Sequence, residues 1–375
     1  MTYDAIRVCT RCVMDSTIKA IDFDEDGVCN YCKTYEHRVA TELYKEPERS
    51  ERLYALIRTM KEEGKNKKYD CIIGVSGGVD SSYIAHLVHE FGLRALAVHL
   101  DNGWNSELAV KNIQLLLDKL HIDLYTHVID WVAFKDLQKA FIKSSIENLE
   151  IPTDHAITAL LLQTADKHGV RYILNGSNLV TEGILPVQGG RSIDDRLLKD
   201  IHKKFGTQKL SNYPVMSIWS FAYKVLVKRI KYLPILNYMD YDKEATIRLL
   251  EEKYGWKRYG GKHYESIFTR FFQGYLLPMK YGYDKRKAHF STLIMSGQMS
   301  REEALQELTL NPYPSERLLE EDKAFFLKKF DFTEKEFEHI MKQRPKVPSD
   351  FNSYERLFET LKPLMLKIKE YAKGN

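Results

Sequence analysis

The chain has 375 residues, 44% hydrophobic and 29% charged, which gives it enough apolar material for two or three folded domains. Its net charge of +4 is slight and lacks the concentrated basic patch of a nucleic-acid binder, so no nucleic-acid partner is expected. No apolar run approaches the ~18 residues of a membrane span. The opening MTYDAIRVCTRCVMD has no basic start followed by an apolar stretch, so no signal peptide is expected and the cytoplasm is the default address.

Residues 1–40 form the first expected unit. They are rich in turns and hold four of the five cysteines, as Cys9-x2-Cys12 and Cys29-x2-Cys32 with 16 residues between the pairs. Each CxxC turn places two thiolates on one side of a metal, and two such turns close a tetrahedral shell. A redox dithiol or an iron–sulfur cluster could use the same residue type. Two pairs at this spacing favour a structural zinc site, with no position left open for catalysis. Residues 41–68 follow as a helix and linker: Leu53, Leu56, Ile57 and Met60 fall at helical spacing over about 41–63, and Gly64 stops the helix.

From residue 69 to about 215 strands and helices alternate. CIIGV (71–75) is a continuous apolar run suited to a strand buried on both faces. A helix to Phe91, a strand over 95–100 and a helix over 106–120 follow. Next come a strand over 123–129, helices near 132–149 and 155–168, and a strand over 170–175. This succession predicts an α/β fold with a doubly wound parallel sheet, whose ligands sit at the carboxyl ends of the strands. Cys71 lies in the first strand and is expected to be a small core residue. Residues 216–375 read as mainly helical, a substrate-binding and interaction region. DKEATIRLLEEKYG (242–255) is amphipathic, and SREEAL (300–305) has the form of a capping box.

The first strand runs into Ser76-Gly77-Gly78-Val79-Asp80-Ser81-Ser82. Two glycines let backbone N–H groups approach a phosphate closely, and the following helix adds its positive end. The serines offer hydroxyls, and Asp80 can hold Mg²⁺ against pyrophosphate oxygens. The spacing is neither GxxxxGK[ST] nor GxGxxG. It resembles the PP-loop of the N-type ATP pyrophosphatases, which implies ATP splitting to AMP and pyrophosphate. By topology Asp101 after the second strand and Asn175 and Ser177 after the fourth belong to the same site; the resemblance implies that the first lies near adenine and ribose and the others near the α-phosphate.

The stretch 260–305 gathers Lys262, Glu265, Arg270, Lys280 and a run of further cations among aromatics. Of these aromatics Tyr264, Phe268, Phe271, Phe272 and Tyr275 fall at helical spacing and are expected to be core. Together the four-cysteine knuckle, the SGGVDSS loop and GGKHYES…FTRFFQGY…YGYDKRKAHFS…SGQMSREEAL resemble the N-acetyl sugar amidotransferase family. The likeness covers residues 1 to about 310, with nothing familiar beyond.

The resemblance implies that the acetamido group of a nucleotide-activated sugar becomes an acetamidino group, for use in surface polysaccharide such as lipopolysaccharide O-antigen. Lys262 or Lys280 would neutralise phosphate charge, and Glu265 would serve as base for the incoming ammonia. A glutaminase needs a reactive cysteine, and this chain offers none: four are committed to the knuckle and Cys71 to a strand. The resemblance therefore implies glutaminase-type and cyclase-type partners like the subunits of imidazole glycerol phosphate synthase. A PP-loop tRNA thiolase is the alternative enzyme, opposed by the absence of a spare loop cysteine to carry sulfur. A non-catalytic nucleotide-binding scaffold is the alternative class, opposed by the intact Ser and Asp set.

Overall fold

A computed structural model describes residues 6–186, 190–259 and 265–361. Five parallel strands make one sheet in the order β3-β2-β1-β4-β5: β1 Cys71–Gly74, β2 Ala95–Asp101, β3 Asp123–Val128, β4 Tyr172–Asn175 and β5 Lys231–Pro234. The strand order reverses between β1 and β4, and a crevice opens there at the carboxyl edge.

Side-chain alternation shows why both faces are covered. Cys71 and Ile73 of β1, Ala95 and Ala97 of β2, and Tyr172 and Leu174 of β4 belong to one buried cluster. Ile72, Leu96, Val98 and Ile173, the residues between them, belong to another. With both faces apolar, the strand must be roofed twice. The first face carries α2 (Glu48–Gly64) and α3 (Val79–Glu90). The second carries α5 (Trp131–Ser144) and α6 (Ile151–Lys167). Between the β2 and β3 segments lies α4 (Glu107–Leu120), which packs on α3.

Three elements depart from expectation. The single helix over 41–63 is two: α1 spans Asn30–Glu42 and α2 starts at Glu48. Pro47 separates them, having no N–H to continue a helical ladder. α6 starts at Ile151 rather than 155, with a proline in its first turn where a missing N–H costs nothing. The stretch beyond 215 is mainly helical as expected, but it holds one strand that was not foreseen, β5, which extends the sheet beside β4. Only four residues long, β5 gave no period-2 signal, and its place was set by pairing with β4.

The remaining elements are helical and mostly short: α7 Leu179–Glu182, α8 Asp195–Phe205, α9 Ile218–Ala222, α10 Lys243–Tyr254, α11 Ile267–Phe271, α12 Leu277–Tyr281, α13 Arg286–Met295, α14 Arg301–Thr309, α15 Glu316–Phe330 and α16 Glu334–Lys342. The capping box at Ser300 is present, reciprocated by Glu303. Phe268, Phe271 and Phe272 are buried, packed with Trp104, Phe326 and Phe330 in the cluster that also holds one sheet face and Cys9, Met14 and Ile18. Tyr275 is partly buried, and Tyr264 lies outside the described residues. The amino-terminal segment and the helical region thus share a core with the sheet. No described helix is long and apolar enough to cross a membrane.

Candidate active site and metal centre

The four knuckle thiols are buried and lie within 4.8 Å of one another. Sulfur separations are 3.9 Å (Cys9–Cys32), 3.8 Å (Cys12–Cys29) and 3.7 Å (Cys29–Cys32). A tetrahedron with zinc–sulfur bonds of about 2.3 Å has edges of about 3.8 Å, so the residues fit that ion. The N–H groups of Arg11, Met14 and Cys29 point at the sulfurs at 3.3–3.4 Å, which favours the thiolates a metal needs. The knuckle rests on the helical region. Ser291 of α13 accepts from Val13 N–H (3.2 Å), and Arg301 donates to the carbonyls of Cys12 and Cys9 at 3.1 and 3.0 Å. Cys71 is fully buried in β1, where desolvation pushes its thiol well above the usual range.

The loop after β1 turns sharply at Gly77, whose φ is +84°. A Cβ there would stand 2.7 Å from the carbonyl oxygen of Ala109, so glycine is required both for conformation and for space. Ser81 Oγ donates to Gly78 O (3.1 Å) and lies 3.2 Å from Ser76 Oγ; Gly78 N–H donates to Ser76 Oγ at 3.3 Å. The hydroxyls thereby hold the turn from which α3 begins, with Gly78 at its N-cap. Ser76, Gly78, Val79, Asp80 and Ser81 line a cavity of about 240 Å³. Ser82 does not: its side chain is buried beneath the loop.

Around this cavity stand further residues, of which the sequence singled out Glu265 alone. Tyr241 donates to Asp80, and burial, reinforced by that carboxylate, holds its phenol well above its ordinary pKa. Tyr259 donates to Gly77 O at 2.9 Å. Glu182 of α7, Lys243 at the start of α10 and Glu265 also line the cavity. Asp80, Glu182 and Glu265 thus give the lining of this cavity three carboxylates beside the turn.

A second cavity of about 460 Å³ shares Ser76, Gly176 and Glu265 with the first and runs over the ends of β1, β2 and β4. Gly176 comes so close to the loop that a Cβ would lie 2.8 Å from Asp80 Cβ. Buried His99 reaches Val75 O through Nδ1 (2.8 Å), and Asn105 Nδ2 reaches its Nε2 (3.1 Å). The far wall comes from α6 and the helical region: Glu150, Asp154, Thr269, Gln273 and Lys285.

The expected site residues distribute unevenly. Asn175 lines the larger cavity, whereas Ser177 is exposed and turned back on the Asn175 side chain. The structure does not bring Asp101 there. Its carboxylate accepts from Gly103 N–H (3.0 Å), and Asp101 lines a separate cavity with Lys329. Nor does it bring Lys280 to the loop: that ammonium is held by the carbonyls of Ile340 and Gln343, and burial lowers its pKa to about 8. Glu265 is at the loop. Lys262 lies outside the described residues.

Residues 265–365 match the family model described as LPS biosynthesis protein WbpG-like, C-terminal domain, so the signal continues past residue 310, where the sequence reading ended. No curated protein matches. Among solved structures, an NH3-dependent NAD synthetase from Campylobacter jejuni is similar at 15% identity and TM-score 0.30, over 80% of this chain and 98% of that one. A predicted subunit of a tRNA methyltransferase from Methanocaldococcus jannaschii follows at 14% and 0.28, over 48% and 76%. NMN synthetase from Francisella tularensis stands at 14% and 0.27, over 58% and 99%. Those TM-scores carry no argument about the reaction.

Proposed function

We propose that this chain, whose residues 265–365 carry the WbpG-like domain of lipopolysaccharide biosynthesis, is an ATP-dependent amidotransferase that forms AMP and pyrophosphate. It would convert the acetamido group of a nucleotide-activated sugar into an acetamidino group. One observation carries the reading: the phosphate loop opens into a cavity whose other wall, Glu265, Thr269, Gln273 and Lys285, belongs to that domain. ATP split on the loop would meet a sugar held by the domain within one cleft.

In this reading the pyrophosphate end of ATP lies on Ser76–Ser81, where Asp80 would hold Mg²⁺ against its oxygens. The acetamido oxygen attacks the α-phosphorus, and pyrophosphate leaves into the loop. Ammonia then displaces AMP from the activated carbon. No covalent enzyme nucleophile is needed; positioning and charge stabilisation suffice. The five cysteines offer none in any case, since four cluster in the knuckle and Cys71 is buried. That argues equally against sulfur transfer to tRNA and for ammonia delivered by a partner glutaminase, to which the family resemblance adds a cyclase-type subunit. Zinc would be structural, tying the amino-terminal segment to α13 and α14.

The test is incubation with UDP- and CMP-linked acetamido sugars, ATP, Mg²⁺ and ammonium, read by mass spectrometry. A product one mass unit lighter than its substrate, oxygen replaced by NH, is expected with one sugar class, along with AMP. Glutamine alone should fail until glutaminase-type and cyclase-type partners are added. Sulfur incorporation into tRNA, or efficient hydrolysis of glutamine by the lone chain, would overturn the reading.

A further inference from the structure

The wall of the larger cavity opposite the loop carries two carboxylates one helical turn apart, Glu150 at the N-cap of α6 and Asp154 in its first turn. Their surroundings differ. Glu150 Oε2 accepts from Gln273 Nε2 (3.1 Å) and lies 3.8 Å from Lys285 Nζ. It is thus held by two side chains of the helical region. Among the described residues nothing donates to the Asp154 carboxylate, although it is open to the cleft. A solvent-open, cavity-lining acid with no protein donor among the described residues, beside one already held by two side chains, is placed to receive a proton from something that enters the cavity.

We infer that Asp154 accepts the proton from the attacking nitrogen in the transfer step, with Glu150 as its positioning neighbour. The inference rests on the amidotransferase reading and adds the nitrogen-side residue that reading lacks. Glu265 also lines the cavity at the loop, where a cation and pyrophosphate would occupy it, whereas Asp154 lines only the larger cavity. The balance is simple. Ammonia adds its lone pair to the protonated, AMP-activated carbon, giving a tetrahedral adduct with a cationic nitrogen. Asp154 takes one proton from that nitrogen. The carbon–oxygen bond to AMP then breaks with its electron pair on AMP, leaving a cationic amidine, and Asp154 releases its proton to solvent.

The surroundings suit the task. Partial withdrawal from water deep in the cleft, with the Glu150 charge beside it and Lys285 acting in the opposite direction, raises the Asp154 carboxyl to about 7. Buried Tyr213, donating to Pro152 O, faces it from the segment before α9 and stays neutral. A base of that strength transfers protons well near neutral pH.

Asp154→Asn should split the two half-reactions. Nucleotide-sugar-dependent ATP–pyrophosphate exchange should persist within a few-fold, while ammonium-dependent amidine formation falls about 100-fold. Asp154→Glu should recover part of the loss. Hydroxylamine, unprotonated at neutral pH and a stronger nucleophile, should recover more. At constant free ammonia, the wild-type transfer rate should rise through pH 7 to a plateau, and this inflection should vanish in Asp154→Asn. Unchanged transfer in Asp154→Asn would overturn the inference alone, as would equal loss of exchange and transfer in a protein with unaltered melting. No exchange by the wild type with any nucleotide sugar would bring down the amidotransferase reading first and this inference with it.

Discussion

The two walls of the cleft are made in different ways. On the sheet side a single run of residues after β1 supplies most of the chemistry, and its own hydroxyls and backbone hold its shape. On the helical side Thr269, Gln273 and Lys285 come from separate turns, and their places depend on packing elsewhere. Arg270 forms a two-pronged bond to buried Asp322 at 2.7 and 2.8 Å, Tyr313 donates to the same carboxylate, and Phe271 lies on Phe326 at 4.8 Å. A loop of this kind can lose chemistry without losing stability. The opposite wall is expected to lose both together.

The largest effect should come from the knuckle, which braces the helical wall from behind through Ser291 and Arg301. Zinc binding to four thiolates is worth on the order of 10 kcal/mol. Cys29→Ser/Cys32→Ser should therefore lose the metal by elemental analysis, lose solubility, and loosen α13 and α14 in hydrogen exchange while the sheet stays protected. Retention of zinc by that variant would break the assignment.

Asp80→Asn tests the sheet wall. AMP formation should fall by about 10³-fold, with melting unchanged within a degree or two, because the charge serves to hold a cation on pyrophosphate. Asp322→Ala tests the other wall. Removing one member of a buried ion pair leaves Arg270 uncompensated and should cost about 3–5 kcal/mol in denaturant unfolding. If Asp322→Ala abolished activity at full stability, the contrast between the two walls would be wrong.

The smallest effect is a pH slope. Asp154 is raised in the folded chain, so between about pH 4 and 7 the unfolded chain has released a proton that the folded chain keeps. Stability attributable to this group therefore falls as pH rises through that window and is level above it. Asp154→Asn should remove that part of the slope, making the variant equal to or more stable than wild type at pH 8 in matched thermal melts.

The loop was legible in the sequence because its chemistry is local: a turn, two glycines, three serines and an aspartate in seven positions. The cysteine pairs were legible for the same reason. Asp101 was placed by topology alone, and the turn to Gly103 at the end of β2 holds its carboxylate beside Lys329 instead. Glu182, Tyr241, Tyr259 and Asp154 were missed because each is an ordinary residue in an ordinary helix or loop, and only tertiary packing brings them to the cleft. β5 was hidden by its four-residue length, and Lys280 looked like a phosphate ligand until the carbonyls of Ile340 and Gln343 claimed it.

The most direct test of the central claim is the nucleotide product of ATP turnover with a nucleotide-activated acetamido sugar, Mg²⁺ and ammonium. The account predicts AMP and pyrophosphate in equal amounts, dependent on both the sugar and ammonium, and lost in Asp80→Asn. ADP and phosphate as products, or AMP release indifferent to the sugar, would contradict it.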